Sequence, residues 1–341
     1  MILDVKPARA LTGAIVLPAS KSYTIRAFFI AACGGPSTLI APSDCDDARI
    51  AKSLGRALKN KARVFDAGES GTALRFLLPL LSFFNTPAVV KGKGTLVGRP
   101  NHHLCKALRR QGMDIRGSGP KESVPIMYKG GALKPGTITI DGSVSSQFIS
   151  AVLIAAPRLK GDSRIVIIGK EMVSSNYVVM TRQILAKAGI TVSASGPRTL
   201  IVKGGQTFKG LNRFHVPSDY GLAAFPLAAA LLLPSKVALK GNLDKNFVQS
   251  DAHIIGFLRK MGGRFHQNTK AITVKGPSAL KGGVFNLKDC PDLVPIMAVL
   301  ALFAKGRTKL VGIGHARVKE SDRISDLRRE LLKVGARISE T

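Results

Sequence analysis

The chain has 341 residues, which is long enough for two domains or for an extended array of repeats. Hydrophobic residues make up 45% of it, so it carries enough apolar material for a packed core and is not a disordered polymer. Lys and Arg outnumber Asp and Glu by 51 to 21, and the formal net charge of +30 favours a polyanionic partner or a small, highly charged anionic substrate.

The N-terminal sequence, the apolar stretches and the cysteines exclude several further classes of protein. Residues 1–6 lack the basic-then-apolar pattern of a signal peptide. The longest apolar stretches, 221–233 and 293–304, are shorter than a membrane span and contain proline. The four cysteines are scattered without a CxxC pair, which argues against a disulfide framework and a structural zinc site. We therefore expect a protein of the reduced cytoplasm without metal or membrane association.

Two markers recur along the chain at matching intervals. Acidic residues precede apolar, helix-like stretches, and glycines end amphipathic helices that lead into a strand. The acidic markers, spaced by 75, 78 and 73 residues, are Asp66, Asp141, Asp219 and Asp292. The glycine markers, spaced by 77, 73 and 73 residues, are Gly112, Gly189, Gly262 and Gly335.

Each repeat is predicted to contain a strand, a buried helix, a strand, an amphipathic helix and two closing strands. Hairpins predicted at 113–130, 190–205 and 264–276 supply the closing strands. A shorter unit begins at Ser22, so five units are counted, and the fifth stops after one predicted closing strand at 336–339. Because that strand would leave an unpaired edge, we expect the sequence to be truncated.

Three motifs place hydroxyl, amide and cationic side chains at predicted helix N-termini, where backbone N–H groups and the helix dipole favour anions. Each motif alone has ordinary helix capping as an equal or better explanation. Their recurrence at one place in a repeat favours a shared ligand. The motifs are residues 17–22 (LPASKS) with Arg26, residues 68–75 (GESGTALR), and residues 143–147 (SVSSQ) with Ser174 and Tyr177.

A fourth motif, RVKESDR at 317–323, places a carboxylate among cations in a protein with few acidic residues. A solvated, charged helix start is the usual meaning of such a run. In this context, however, Glu320 is a candidate proton-transfer group. Asp292, at the start of the buried helix in the same repeat, is a second candidate.

Taken together, the motifs resemble those of the 5-enolpyruvylshikimate-3-phosphate synthase family. The segments LPASKS with the following Arg, GESGTALR, GRP, DGSVSSQF and RVKESDR occur in the family's order, and the match runs from Leu17 to the last residue. The resemblance implies an α/β fold of two domains built from six βαβαββ units, of which five are present. Three units form a shikimate 3-phosphate-binding domain at 21–217, and residues 1–20 and 218–341 form a second domain that lacks its last unit.

The resemblance implies transfer of the enolpyruvyl group from phosphoenolpyruvate to the 5-hydroxyl of shikimate 3-phosphate, with release of phosphate, in aromatic amino acid biosynthesis. It implies a cytoplasmic monomer that needs no cofactor and no metal, and whose partners are these two small molecules rather than nucleic acid or a membrane. Lys and Arg suit this reaction because two phosphates and a carboxylate must approach one another, which costs Coulomb energy unless cations neutralise them.

The residues that match the family's motifs take their roles by implication. Catalysis is assigned to Asp292 as base for the 5-hydroxyl, to Glu320 as the group that exchanges a proton with the methylene carbon, and to Lys21 between both substrates. The residues implied to bind shikimate 3-phosphate are Lys21, Ser22, Arg26, Ser145, Ser146, Gln147, Ser174, Tyr177, Asp292, His315 and Lys319. Those implied to bind phosphoenolpyruvate are Lys21, Gly71, Arg99, Gln147 and Arg323, with Arg75 helping to shape that site.

Three features depart from the family's pattern. Ala19 stands where the family commonly has glycine, which is a small change. His315 stands where the family often has asparagine. The later Asp-His-Arg and Lys-containing segments, which supply cations to phosphoenolpyruvate in the family, do not occur in this sequence. We therefore expect weak or absent turnover by this chain alone, with shikimate 3-phosphate binding retained.

Three alternatives stay open at this point. The first is an inactive or complementation-dependent fragment of the same enzyme. The second is the related UDP-N-acetylglucosamine enolpyruvyl transferase, although that enzyme has Lys-Asn in place of Lys21-Ser22 and a reactive Cys in the loop that here spans 97–100. The third is a basic nucleic-acid-binding repeat protein, which the absence of Trp and the 6% content of aromatic residues disfavour, because RNA modules stack bases on aromatic side chains.

Overall fold

The computed structural model describes Asp4 and residues 6–84, 86–170, 172–318 and 321–341. It divides into two compact units. We call Ser20–Val216 the inserted unit, and we call the described residues before and after it the discontinuous unit.

The described residues form helices and strands that alternate along the chain. The helices are α1 (Lys21–Cys33), α2 (Asp46–Lys59), α3 (Gly71–Leu80), α4 (His102–Arg110), α5 (Ser146–Ala155), α6 (Asn176–Lys187), α7 (Tyr220–Leu232), α8 (His253–Lys260), α9 (Val294–Phe303) and α10 (Arg323–Lys333). The strands are β1 (Leu11–Val16), β2 (Leu39–Ile40), β3 (Val64–Asp66), β4 (Ala88–Lys91), β5 (Asp114–Ser118), β6 (Ser123–Gly130), β7 (Gly136–Asp141), β8 (Ser163–Ile168), β9 (Val192–Ala194), β10 (Thr199–Val202), β11 (Phe214–His215), β12 (Ser235–Lys240), β13 (Phe265–Gln267), β14 (Ala271–Gly276), β15 (Val284–Asn286) and β16 (Lys309–Val311).

Three four-stranded sheets share one strand order and one pattern of directions. Their orders are β3-β4-β6-β5 and β7-β8-β10-β9 in the inserted unit and β1-β12-β14-β13 in the discontinuous unit. In each sheet the first two strands are parallel and the other neighbours are antiparallel. β2 pairs with β11 and β15 with β16 in two short parallel sheets. This is the α/β repeat that the spacing of the sequence markers predicts.

The first strand of the discontinuous unit's sheet comes from the beginning of the chain. β1 lies parallel to β12, with Leu11 opposite Ser235. β11, which by its place in the repeat would be that first strand, instead pairs with β2 of the inserted unit. The chain therefore passes between the units twice. The two segments of the discontinuous unit are joined next to these crossings, where the Asp219 N–H donates to the Pro18 carbonyl at 2.9 Å.

The glycines predicted to end the amphipathic helices have the left-handed backbone that this position requires. Gly112, Gly189, Gly262 and Gly335 have φ angles of 95°, 81°, 94° and 85°. The predicted closing strand at 336–339 is wrong, because that segment forms no strand. In each four-stranded sheet the equivalent segment is held by an antiparallel neighbour, and no such neighbour lies beside 336–339 in the described chain.

Apolar helices form the centre of each unit. Their polar N-terminal turns carry predicted site residues. α3 and α5 pack against each other in the inserted unit, and nearly all of their residues are buried. A helix that is apolar all round belongs in a core, so its polar N-terminal turn is the part that reaches the surface. α7 and α9 are the most apolar helices of the discontinuous unit. Within the described residues, no helix combines the length and the hydropathy needed to span a membrane.

Candidate active site

The N-terminus of α1 carries the first predicted site residues. Ser20 caps the helix, and its Oγ accepts a hydrogen bond from the Tyr23 N–H at 3.5 Å. Lys21 follows as the first helical residue, with half of its side chain exposed and its Nζ 3.1 Å from Asp47 Oδ2. An accessible ammonium group therefore lies beside a helix N-terminus, an arrangement that favours an anion.

Arg26, implied to bind shikimate 3-phosphate, is almost fully buried behind this helix start. Its Nε donates to Thr181 Oγ1 at 2.8 Å, and its Nη atoms donate to the carbonyls of Ser22 at 2.9 Å and Tyr177 at 3.2 Å. Burial lowers the pKa of Arg26 to about 10, and the guanidinium lies 5.2 Å from the centre of the Phe76 ring. Arg26 thus fixes the backbone at Ser22 and Tyr177, two other predicted ligands.

Gly71 begins α3 in contact with the guanidinium of Arg99. A Cβ at Gly71 would lie 2.7 Å from Arg99 Nη1 and 2.9 Å from Arg99 Cζ, which is closer than real Cβ atoms approach. Ser70 caps the helix by accepting a hydrogen bond from the Ala73 N–H at 3.4 Å. Only glycine at position 71 therefore leaves room for the guanidinium, and two residues implied to bind phosphoenolpyruvate are neighbours.

Replacing Gly71 by alanine is expected to raise the KM for phosphoenolpyruvate about tenfold, the effect of one displaced charge-assisted hydrogen bond. The new methyl group pushes the Arg99 guanidinium aside, and because only the end of a flexible side chain moves, the free energy of unfolding should barely change. Steady-state kinetics and thermal melts measure both effects. Gly256→Ala is the matched control, since nothing lies within 4 Å of a Cβ at that helical glycine. An unchanged KM in the Gly71 variant would contradict this interpretation of Arg99.

Asn101, which the sequence analysis missed, holds the loop that carries Arg99. It is fully buried, and its Oδ1 accepts a hydrogen bond from Arg75 Nε at 3.2 Å. Its Nδ2 donates to the carbonyls of Arg99 at 3.1 Å and Glu122 at 3.2 Å. One amide thus fixes both a buried cation and the backbone of a predicted ligand. The only sequence signal was its place next to the GRP motif.

Arg75 continues this network to Gln147. Its Nη1 donates to Gln147 Oε1 at 2.5 Å, and its Nη2 donates to the Pro100 carbonyl at 3.1 Å. Gln147 in turn donates from Nε2 to Thr72 Oγ1 at 3.0 Å. A continuous series of hydrogen bonds therefore joins the N-termini of α3 and α5 to the loop that carries Arg99.

The turns before α5 and α6 carry the remaining predicted ligands of the inserted unit. Ser145 caps α5 by accepting a hydrogen bond from the Gln147 N–H at 3.3 Å, and Ser146 is buried in the first turn. Ser174 is also buried and has a φ of +53°, a left-handed backbone that residues other than glycine rarely adopt. Such outliers cluster at ligand sites, so the backbone supports a binding role for Ser174.

His103 lies at the start of α4, with its Nδ1 3.7 Å from Asp141 Oδ2. Burial, and then the neighbouring His102, lower the pKa of His103 below its ordinary 6.5 although Asp141 acts in the opposite direction. The unfolded chain therefore takes up this proton first. We expect the free energy of unfolding to be highest above about pH 6.5 and to fall as the pH drops toward the lowered pKa. Thermal melts of His103→Gln should show a smaller fall than the parent protein, and an equal fall would contradict this assignment.

The discontinuous unit contributes a pair of opposite charges. Asp292 lies in the short 3-10 turn before α9, and its Oδ1 accepts a hydrogen bond from Nη1 of Arg323, the first residue of α10. The two side chains are 47% and 25% exposed. Asp322 caps α10, accepting from the N–H groups of Ile324 and Ser325 at 3.1 Å each. The implied base and an implied ligand of phosphoenolpyruvate are therefore in direct contact.

Arg317 forms two ion pairs near the start of α10: its Nη2 lies 2.8 Å from Glu340 Oε2 and its Nη1 lies 3.0 Å from Asp322 Oδ2. His315 is partly buried in the 3-10 turn at Gly314–Val318. Lys319 and Glu320, implied to bind shikimate 3-phosphate and to transfer a proton, lie outside the described residues.

Comparison with known proteins gives this arrangement a context. The family model described as EPSP synthase (3-phosphoshikimate 1-carboxyvinyltransferase) matches residues 38–341. The 3-phosphoshikimate 1-carboxyvinyltransferase of Korarchaeum cryptofilum is 34% identical, over 99% of this chain and 83% of its own length. The protein of the same name from Methanothrix thermoacetophila is 35% identical, over 100% of this chain and 84% of its own length.

Solved structures agree with the sequence matches. EPSP synthase from Acinetobacter baumannii has a TM-score of 0.75 and 25% identity, covering 95% of this chain and 78% of that one. The enolpyruvyl transferase NikO from Streptomyces tendae shares the fold, with a TM-score of 0.68 and 17% identity over 88% of this chain and 74% of its own. The predicted fold class is confirmed, and the UDP-N-acetylglucosamine and nucleic-acid-binding alternatives are not favoured. The chain belongs to the EPSP synthase family.

Proposed function

We propose that this protein is a 3-phosphoshikimate 1-carboxyvinyltransferase, which transfers the enolpyruvyl group of phosphoenolpyruvate to the 5-hydroxyl of shikimate 3-phosphate. The observation that carries the proposal is the hydrogen-bonded series Asn101–Arg75–Gln147–Thr72, which joins two helix N-termini to the Arg99 loop. Helix N-termini with adjacent cations suit the phosphorylated substrates of this reaction.

In this proposal the inserted unit holds shikimate 3-phosphate. Lys21 supplies a positive charge at the N-terminus of α1, and the hydroxyl groups at the starts of α5 and α6 supply directional hydrogen bonds. Arg26 acts behind them, because its guanidinium donates to the Thr181 hydroxyl and to the carbonyls of Ser22 and Tyr177. The other proposed ligands are Ser22, Ser145, Ser146, Gln147, Ser174, Tyr177, Asp292, His315 and Lys319.

Phosphoenolpyruvate is proposed to lie against Gly71 and Arg99, where the missing side chain at position 71 leaves the guanidinium next to a helix start. Gln147 is the further amide ligand, fixed in orientation because it accepts from Arg75 and donates to Thr72. Lys21 and Arg323 supply the remaining charge. Neutralising phosphate and carboxylate in this way lowers the cost of placing two anions together.

The proposed reaction is an addition to the double bond of phosphoenolpyruvate followed by an elimination of phosphate. Glu320 gives a proton to the methylene carbon of phosphoenolpyruvate, which makes the adjacent carbon cationic. The 5-hydroxyl oxygen attacks that carbon and gives its proton to Asp292. The bond to the phosphate oxygen then breaks, phosphate leaves with the electron pair, and the Glu320 carboxylate takes a proton back from the methyl carbon, which restores the double bond. No cofactor is needed, because protons and fixed charges perform every step.

We also propose that the protein acts as a monomer in the cytoplasm. Its substrates are small, charged molecules. The capping residue Ser20, the cation Lys21 and the amide ligand Gln147 all lie within the inserted unit of one chain. Gel filtration of the purified protein should therefore give the mass of a single 36.2 kDa chain.

Phosphate release in the presence of shikimate 3-phosphate and phosphoenolpyruvate tests the proposal, with the product identified by mass spectrometry. We expect slow release with shikimate 3-phosphate, in line with the weak turnover expected from the sequence, and none with UDP-N-acetylglucosamine as acceptor. Release only with the second acceptor would contradict the proposed substrate. Calorimetric binding of shikimate 3-phosphate without turnover would instead support the complementation-dependent fragment.

A further inference from the structure

The outer face of the sheet β1-β12-β14-β13 carries a cluster of positive charges that the proposed reaction does not use. A groove of about 850 Å³ opens on this sheet of the discontinuous unit. Four exposed residues that line it are basic, namely Lys236, Arg264, His266 and Lys275. None of the lining residues carries a carboxylate.

Two of these charges stand directly opposite each other. Lys236 on β12 pairs across the strands with Lys275 on β14. Directly opposed side chains in an antiparallel pair lie about 5 Å apart at Cβ, and like charges at that distance destabilise the sheet. Within the described residues, neither lysine has an ion-pair partner. An external anion would relieve this repulsion.

The repeat provides its own comparison, because the same position exists in the other two four-stranded sheets. In the sheet β7-β8-β10-β9, the equivalent of Lys236 is Arg164 on β8, which lies opposite Ile201 on β10. In the sheet β3-β4-β6-β5, it is Val89 on β4, which lies opposite Met127 on β6. Neither pair opposes two cations. The sheet architecture therefore does not require the lysine pair, and among the three sheets two directly opposed cations at this position are particular to this face.

We propose that this basic sheet face binds the phosphodiester backbone of nucleic acid. A regular polyanion that releases counterions on contact with Lys and Arg complements a face with cations and no carboxylate. The residues between the charges are small: Thr12 and Thr273 are exposed and Ala238 is half-buried. A protein partner is disfavoured because its affinity depends on apolar anchors, and the apolar lining residues Val237 and Val274 are buried in the core while Phe265 packs against it.

Binding at this face is expected to be independent of base sequence. Phe265 lines the groove but packs toward the core, so His266 is the ring that the exposed face presents among the described lining residues. Base recognition in single strands relies on stacking aromatics, and their scarcity argues against it. Contacts to phosphate need only the cations. The proposal is separate from the transferase function and uses none of its residues.

Fluorescence anisotropy with a labelled, mixed-sequence single-stranded RNA of about 15 nucleotides, titrated at several KCl concentrations, tests the proposal. Each phosphate contact to a single strand contributes a slope of about 0.7 to the dependence of log K on log salt. The double variant Lys236→Gln/Lys275→Gln should therefore lose about 1.4 from that slope and bind roughly 20-fold more weakly near 0.1 M salt.

The matched control is Lys91→Gln/Lys129→Gln, which removes the same charge from the outer face of the sheet β3-β4-β6-β5. The control should change affinity less than twofold. Both double variants should keep the thermal midpoint and the phosphate-release activity of the parent protein, so lost binding cannot be ascribed to unfolding. Equal weakening in the two variants would overturn the proposal, since net charge alone would then explain binding. Binding of a polyglutamate peptide in preference to the RNA, lost only in the first variant, would overturn it in favour of an acidic protein partner.

Discussion

Replacing Asp292 by asparagine is expected to lower kcat about a thousandfold, within the range that a positioned general base supplies. Asparagine keeps the size of the side chain and an oxygen that accepts from Arg323, but it cannot take the proton of the 5-hydroxyl. Because 47% of the Asp292 side chain is exposed, the free energy of unfolding should change little. Phosphate-release kinetics measure kcat, and calorimetry should show affinity for shikimate 3-phosphate within tenfold of the parent protein.

Asp289→Asn is the matched control for this experiment. Asp289 lies three residues before Asp292 in the sequence. Burial raises the pKa of the Cys290 thiol to about 12, and the nearby carboxylates, including Asp289 and Asp292, act in the same direction. The control removes the same charge from the same segment but no proposed base. If the two variants lose equal activity, the loss reflects the local charge and Asp292 is not the base.

Replacing Asn101 by leucine is expected to lower the free energy of unfolding by about 2–4 kcal/mol and to raise the KM for phosphoenolpyruvate. Leucine has a similar volume but leaves three partners without these hydrogen bonds, namely the buried Arg75 Nε and the partly buried carbonyls of Arg99 and Glu122. The Arg99 loop then loses its anchor. Chemical denaturation measures stability, and steady-state kinetics separate KM from kcat.

The variant Asn101→Asp separates the acceptor function of this amide toward Arg75 from its donor function toward the Arg99 loop. Aspartate keeps the oxygen that accepts from Arg75 but places a second oxygen against the carbonyls of Arg99 and Glu122. We expect this variant to keep a normal affinity for shikimate 3-phosphate while its KM for phosphoenolpyruvate rises. Equal changes for both substrates would indicate a general loss of structure and would contradict a specific positioning role.

The repeat can be predicted from the sequence because its signals are local. A glycine after an amphipathic helix adopts positive φ whatever surrounds it, as Gly112 and Gly189 do. The cap of α7 is equally local, since Asp219 Oδ1 accepts from the Leu222 N–H three residues later, at 3.0 Å. Helix starts, helix ends and antiparallel hairpins therefore follow from short stretches of chain.

Long-range partners cannot be predicted in this way. Arg26 has the sequence pattern of an anion ligand, but the acceptors that take its hydrogen bonds include Thr181, far along the chain. Asn101 gives no signal beyond its place after the GRP motif, because its partners Arg75 and Glu122 come from other segments of the chain. The error at 336–339 has the same origin: strand formation depends on a neighbouring strand, and the local sequence does not supply one.

The pairing of β1 with β12 sets the order in which the two units are completed during synthesis. The inserted unit is continuous and has all of its residues once Val216 has left the ribosome. β1 must wait for Ser235–Lys240, so its non-local pairing is slow and late. Even in the folded protein Ile15 and Val16 of this strand are 42% and 80% exposed. The first strand of this sheet to be made thus waits longest for its partner, because the whole inserted unit is synthesised between β1 and β12.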